Sequence, residues 1–256
     1  MSSVINPAFF HGLGDLQGQG SWWVYLLWVP VIALLGFSVA EVFAGLFHLP
    51  RRIFLIPYVA IVSLTVYLFM NWSGLSLKGL VQYNWVWGVI GAVVVGMFLV
   101  RNILSQPAST HPSGLVLIFD LLWSGVVYGL MDALLLSVLP VLAIWQALSS
   151  LGWTANLLER FAVGAIALVA SLLITICYHL GFPEYRVKRG VFGPSIGNGI
   201  MTLGYLLTNN PVSAILSHIA MHIAGVMHGP DSVIQLPPHY AESIPKQTMA
   251  SELENP

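Results

Sequence analysis

The run ILSHIAMHIAGVMH at residues 215–228 sets His218 and His222 four positions apart in an otherwise apolar stretch. Residues four apart share one face of a helix, so the two imidazoles project together. An imidazole in hydrocarbon is costly without a partner, and ionisable residues in such stretches are candidates for function. The pair can bind one metal ion, relay a proton, or hydrogen-bond to neighbouring helices. Zinc proteases also carry His-x-x-x-His on a helix, with Glu directly after the first His; here Ile219 stands there. The other ionisable residues in apolar stretches are Glu41, Asp120, Asp132 and His179. Asp132 lies in the middle of its stretch, where a carboxylate must be paired or neutralised. His179 lies near the end of its stretch. Asp120 reads as a carboxylate able to reach water, and nothing marks a partner for Glu41. His228 falls off the 218/222 face, beside Gly229 and Pro230, and reads as a helix-end residue.

The elements that must position these groups follow from composition. Of 256 residues, 57% are hydrophobic and 7% charged, with mean hydropathy +0.83. Soluble domains carry about 25% charged residues, so the chain is expected to be an all-α, polytopic membrane bundle. A net charge of -1 gives no footprint for nucleic acid. The single cysteine, Cys177, excludes an intrachain disulfide and disfavours a cysteine metal site. Residues 1–21 are polar and Gly-rich, read as an interfacial arm without the basic start of a secretory signal. Residues 22–228 form the transmembrane domain and 229–256 a polar tail, expected to be irregular.

Seven spans are predicted, at about 22–47, 53–71, 84–104, 114–148, 160–181, 194–207 and 211–228. A straight helix over 114–148 would be about 51 Å long against about 30 Å of hydrocarbon. It must therefore tilt, kink near Pro140, or divide. Asn210-Pro211 reads as an N-cap followed by Pro in the first turn. Gly125 with Gly129, and Gly193, Gly197, Gly199 and Gly204, read as faces for close helix packing. With seven spans, one set of loops and the tail hold Arg51, Arg52, Arg101, Arg186, Lys188, Arg189 and Lys246, and the other set holds only Lys78 and Arg160. That asymmetry places the N-terminus outside and the C-terminus in the cytoplasm.

The segment GIMTLGYLLTNNPVSAILSHIAMH resembles the last motif of the CAAX-protease and bacteriocin-processing (CPBP) family of intramembrane proteases, a Gly-rich helix, a turn and a His-x-x-x-Asn helix. His218 falls on the motif's histidine and His222 on its asparagine. SLLITICYHLG resembles the family's Phe-x-x-x-His motif, with His179 on the histidine and Thr175 in place of Phe. VVYGLMDALLLSVLP stands where the family has Glu-Glu-x-x-x-Arg, with Asp132 near the glutamates and no arginine after it. The resemblance covers about 115–228. It implies an intramembrane peptidase in which Asp132 and His179 activate water while His218 and His222 hold the oxyanion.

The same Asp132, His179, His218 and His222 could instead hold one divalent metal such as zinc. Two other classes stay open. One is a catalytically silent scaffold or accessory subunit, as in the gamma-secretase scaffold subunit that resembles this family. The other is a proton-coupled transporter or channel, for which no paired repeats are visible. The implied partners are membrane lipids, with a membrane-embedded peptide substrate or other membrane subunits, and no nucleic acid.

Overall fold

The computed structural model describes residues 20–187, 189–229 and 236–239. Of the arm expected over residues 1–21, only Gly20 and Ser21 lie within the described residues, and of the tail beyond Gly229 only 236–239. Among the described residues there is no strand. We number the helices α1 (Trp22–Leu46), α2 (Arg51–Ser73), α3 (Leu77–Gln82), α4 (Trp85–Leu104), α5 (Gly114–Ser149), α6 (Leu157–Leu180), α7 (Phe192–Thr208) and α8 (Val212–His228). Five of them, α1, α2, α4, α5 and α6, are long and apolar enough to cross a membrane. The other two long helices, α7 and α8, have 17 residues each, about 26 Å of helix.

Helix α5 is the central pillar: 83% of its most apolar window is buried, against 44% or less for the other four. It is neither split nor broken at Pro140. Instead it contains two wide, π-type segments, Leu121–Val127 and Ala133–Val138. Such segments occur mostly as local widenings within α-helices and are frequent at functional sites. Asp132 sits between the two. The second segment also prepares the proline. Pro140 has no N–H for the carbonyl of Leu136, and Ser171 on α6 donates its hydroxyl to that oxygen at 2.6 Å instead. A freed carbonyl within a bundle is thus satisfied from a neighbouring helix.

Helix α8 is seated between two faces bearing glycines. On α5, a Cβ at Gly129 would lie 2.8 Å from Ile219 Cα, and one at Gly125 would lie 3.0 Å from Ile223 Cγ1. On α4, Gly96 brings the backbone near Ala220 and Ser217, while Gly88 and Gly91 meet the side chains of Asn210 and Ser213. Asn210 fixes the start of α8. Its Oδ1 accepts from Val212 N–H at 2.8 Å, and its Nδ2 donates to carbonyls of α3 and the turn after it, including Val81 at 2.9 Å. These close approaches set the height and rotation of the helix carrying both histidines.

Along α7 the glycines divide. Gly204 packs tightly against Ser213 and Val95, and Gly199 approaches Leu172, as expected of small-residue packing. Gly193 and Gly197 do not: a Cβ at either would meet nothing within 4 Å. Their expected role in helix contact is therefore replaced by a bare strip of backbone facing open space.

Two polar residues have partners that the sequence does not mark. Asp120 is buried and takes two nitrogens of the half-exposed Arg52 guanidinium at 2.7 Å. Glu41 has a partner, the guanidinium of Arg186. The described part of the tail, 236–239, is irregular as expected and packs against the bundle. Leu236 is buried against Gly225, Arg51 donates to the Leu236 carbonyl, and the His239 N–H donates to Glu184 at 2.8 Å.

Candidate functional site

Asp132, His179, His218 and His222, from α5, α6 and α8, line one cavity of about 640 Å³. All four are at least nine-tenths buried. The cavity also touches Asn102, Gln106, Gly190 and Arg189, from the end of α4 and the turn leading into α7. Phe98, Ile196 and Ile200 give it apolar walls, and Gly193 and Gly197 form part of the same lining. It is therefore polar at its inner end, apolar along its side, and bordered by an exposed arginine at its mouth.

Within this cavity three groups stand closest. Donor atoms of Asp132, His218 and His222 all lie within 4.8 Å of one another. His222 Nε2 is 3.3 Å from Asp132 Oδ2. The second carboxylate oxygen accepts a short hydrogen bond from the buried Tyr58 hydroxyl on α2. On the other side of the His222 ring, Nδ1 lies 3.3 Å from the Ser124 carbonyl. A carbonyl can only accept, so Nδ1 carries a proton, and in the neutral ring Nε2 holds the lone pair. His218 lies one turn earlier on the same face, its ring centroid 5.8 Å from that of His222. Its Nδ1 is buried without a hydrogen-bond partner among the described residues.

His179 shares the cavity but is not one of the three clustered donors. Its Nδ1 donates to the Thr175 carbonyl at 2.8 Å, one turn back on α6, which leaves Nε2 as an acceptor. Tyr178, Phe182 and Tyr185 surround the ring, Tyr185 edge-on at 4.8 Å. His228 lies outside the site, where its Nε2 donates to the Gln106 carbonyl at 2.7 Å.

The resemblance pairs Asp132 with His179 and sets His218 with His222. Among the described residues, Asp132 clusters with the two histidines of α8, and His179 lines the same cavity. The geometry also changes what His222 can do. A neutral His222 has spent its one N–H on Ser124, so it offers an oxyanion no donor unless a positive charge is added at Nε2.

Three contributors were not singled out from the sequence. Tyr58 is one of nine tyrosines and carries no local signal that it faces Asp132. Ser124 acts through its backbone carbonyl, which any residue has. Asn198 did carry a signal, being a strongly polar amide within the apolar run of α7. It lines the cavity and joins a buried network, donating to Thr175 Oγ1 at 2.7 Å and Ser171 Oγ at 2.9 Å while accepting from Ser137 Oγ at 2.9 Å. This network ties α5, α6 and α7 together beside the site.

No family model, curated protein or solved structure matches this chain.

Proposed function

We propose that this chain is a multi-pass membrane hydrolase of the kind the CPBP resemblance implies, acting on a membrane-embedded peptide. In this reading α7 and α8 cross the membrane with the five longer helices, giving seven spans. Arg51, Arg52, Arg101, Arg186 and Arg189 mark the cytoplasmic end by the positive-inside rule, and the N-terminus lies outside. The cavity then opens toward the cytoplasm.

The observation that carries the reading is the convergence of one carboxylate and three imidazoles, drawn from three helices, on one cavity. Amide hydrolysis needs a base for the attacking water and a positive group facing the oxygen on which charge develops. His179, with its N–H held by Thr175, offers Nε2 as the base. The Asp132/His218/His222 cluster supplies the positive side, because two acceptors facing each other at 3.3 Å require a cation or proton between them. The apolar wall with the Gly193–Gly197 strip suits an extended hydrophobic segment whose backbone must approach closely. A silent accessory subunit is the second reading. It is favoured by the backbone hydrogen bonds of His179 and His222, which a purely structural histidine would also make.

The test uses the purified full chain in proteoliposomes with a panel of transmembrane peptides, new peptide ends being read by mass spectrometry. Wild type is expected to generate defined ends that Asp132→Asn and His179→Ala lose. Identical peptide patterns from wild type and both variants would reject the hydrolase and leave the accessory subunit.

A further inference from the structure

We infer that Asp132, His218 and His222 form a binding site for one divalent transition-metal ion of the zinc or ferrous-iron class. The inference rests on the geometry of these three side chains and not on the hydrolase reading.

Three features of the cluster point the same way. First, the Nε2 lone pair of His222 faces Asp132 Oδ2 at 3.3 Å, an arrangement of two acceptors that repels unless something positive lies between them. Second, His218 leaves Nδ1 buried and unpartnered among the described residues. A buried polar atom without a partner costs about 1–3 kcal/mol. A ligand bond to that nitrogen offers relief. Third, the groups behind the cluster hold it as supporting groups hold a metal site. His222 donates its other ring nitrogen to a backbone carbonyl, and the far oxygen of Asp132 is held by Tyr58. Such partners fix the tautomer and aim of metal ligands.

The donor set is two imidazoles and one carboxylate, which suits zinc with an open position or non-haem ferrous iron rather than calcium or magnesium. Distances are compatible. Ligands at about 2.1 Å from an ion stand about 3.4 Å apart in a tetrahedron. A pair at the 4.8 Å limit must therefore close by about 1.4 Å, within reach of modest side-chain rotation. Among the described residues three protein donors converge, and the cavity lies beside them, so a bound ion keeps a position for water or a substrate carbonyl. His179 stands outside the donor group and is free to move a proton.

The test is metal analysis of the purified full chain in detergent, followed by chelator stripping and titration with Zn²⁺ and with Co²⁺. Wild type is expected to carry about one equivalent of metal, and the stripped protein to take up Co²⁺ with the visible absorption of a four- or five-coordinate nitrogen–oxygen site. His218→Ala and His222→Ala should lose both. His179→Ala should keep both, and Tyr58→Phe should weaken Co²⁺ binding about 10–100-fold. The wild-type Co²⁺ spectrum does not depend on any variant folding. Failure of stripped wild type to bind either ion would overturn the site and leave a shared proton between Asp132 and His222. Equal loss in His179→Ala would overturn the three-donor assignment. Metal bound without peptide cleavage would reject the hydrolase while the site stands; cleavage by protein that takes up neither ion would uphold the hydrolase and overturn the site.

Discussion

Gly129 separates geometry from chemistry most cleanly. Adding one methyl there places Cβ 2.8 Å from Ile219 Cα, 3.0 Å from Ile219 N and 3.1 Å from the His218 carbonyl oxygen. All three are backbone atoms of α8, so no side chain can swing aside. Ordinary contact needs about 3.5–4.0 Å, so α8 must retreat by about 0.7–1.2 Å at this point. Ile219 lies directly after His218 and one turn before His222, so the retreat carries both imidazoles away from Asp132. The 3.3 Å separation between His222 and Asp132 would open toward about 4 Å. Overpacking of this kind costs about 1–3 kcal/mol.

Gly129→Ala is therefore expected to lower the unfolding temperature in detergent and also to weaken Co²⁺ binding or peptide cleavage. Two controls bracket it. Gly125→Ala meets only the Cγ1 of Ile223 within 3.4 Å, an atom that can yield, and should cost less. Gly197→Ala points into open space and should leave stability within about 0.5 kcal/mol of wild type. Thermal unfolding followed by tryptophan fluorescence reads the stability, and Co²⁺ titration reads the site. If Gly129→Ala matched wild type in both while Gly197→Ala did not, the packing argument that aims α8 would be refuted.

Other perturbations address separate parts of the bundle. Arg52→Ala strands the buried carboxylate of Asp120 and should cost about 1–3 kcal/mol, whereas Arg52→Leu with Asp120→Leu should recover most of it; a double-mutant cycle on unfolding temperatures checks this. Asn198→Ala leaves Ser137, Ser171 and Thr175 without their amide partner and should lose about 1–3 kcal/mol, measured the same way. Glu184, in the turn after α6, has its carboxyl pushed up by burial, against the opposing hydrogen bond from the His239 N–H. The folded chain thus holds this proton more tightly than the unfolded chain. Stability from this group is greatest in acid and falls as pH rises from about 4 through the raised value. Glu184→Gln should flatten that part of the pH–stability curve.

The long helices were legible because apolar length is a local property. Trp22 and Pro50, Asn71-Trp72 and Asn210-Pro211 punctuate the chain close to the observed ends. The capping box of Asn156 and Glu159 moves the start of α6 to Leu157, three residues before the boundary read from hydropathy. Continuity of α5 was not legible. Pro140 announces a missing hydrogen bond, but the sequence does not say that Ser171, thirty-one residues later, supplies the replacement. The partners of Asp120 and Glu41 were hidden for the same reason, since Arg52 arrives from α2 and Arg186 from the turn after α6.

For the site, the spacing of His218 and His222 showed a shared face, and the cost of a buried carboxylate marked Asp132. What spacing could not give was helix rotation. It therefore left open that Asp132 would stand with the α8 histidines rather than with His179. Gly193 and Gly197 were unreadable in another way. Small residues serve tight packing and open grooves equally, and only the neighbouring helices decide between them.

The central claim is that Asp132 and the three histidines face one cavity that opens at the basic end of the bundle. Its most direct test is cysteine accessibility, with Gly197→Cys placed in a Cys177→Ser background and labelled by a charged, membrane-impermeant thiol reagent in oriented vesicles. The account predicts rapid labelling from the side bearing Arg51, Arg52 and Arg189, and little from the other. Labelling by lipid-soluble reagents alone, or from the opposite side, would contradict it.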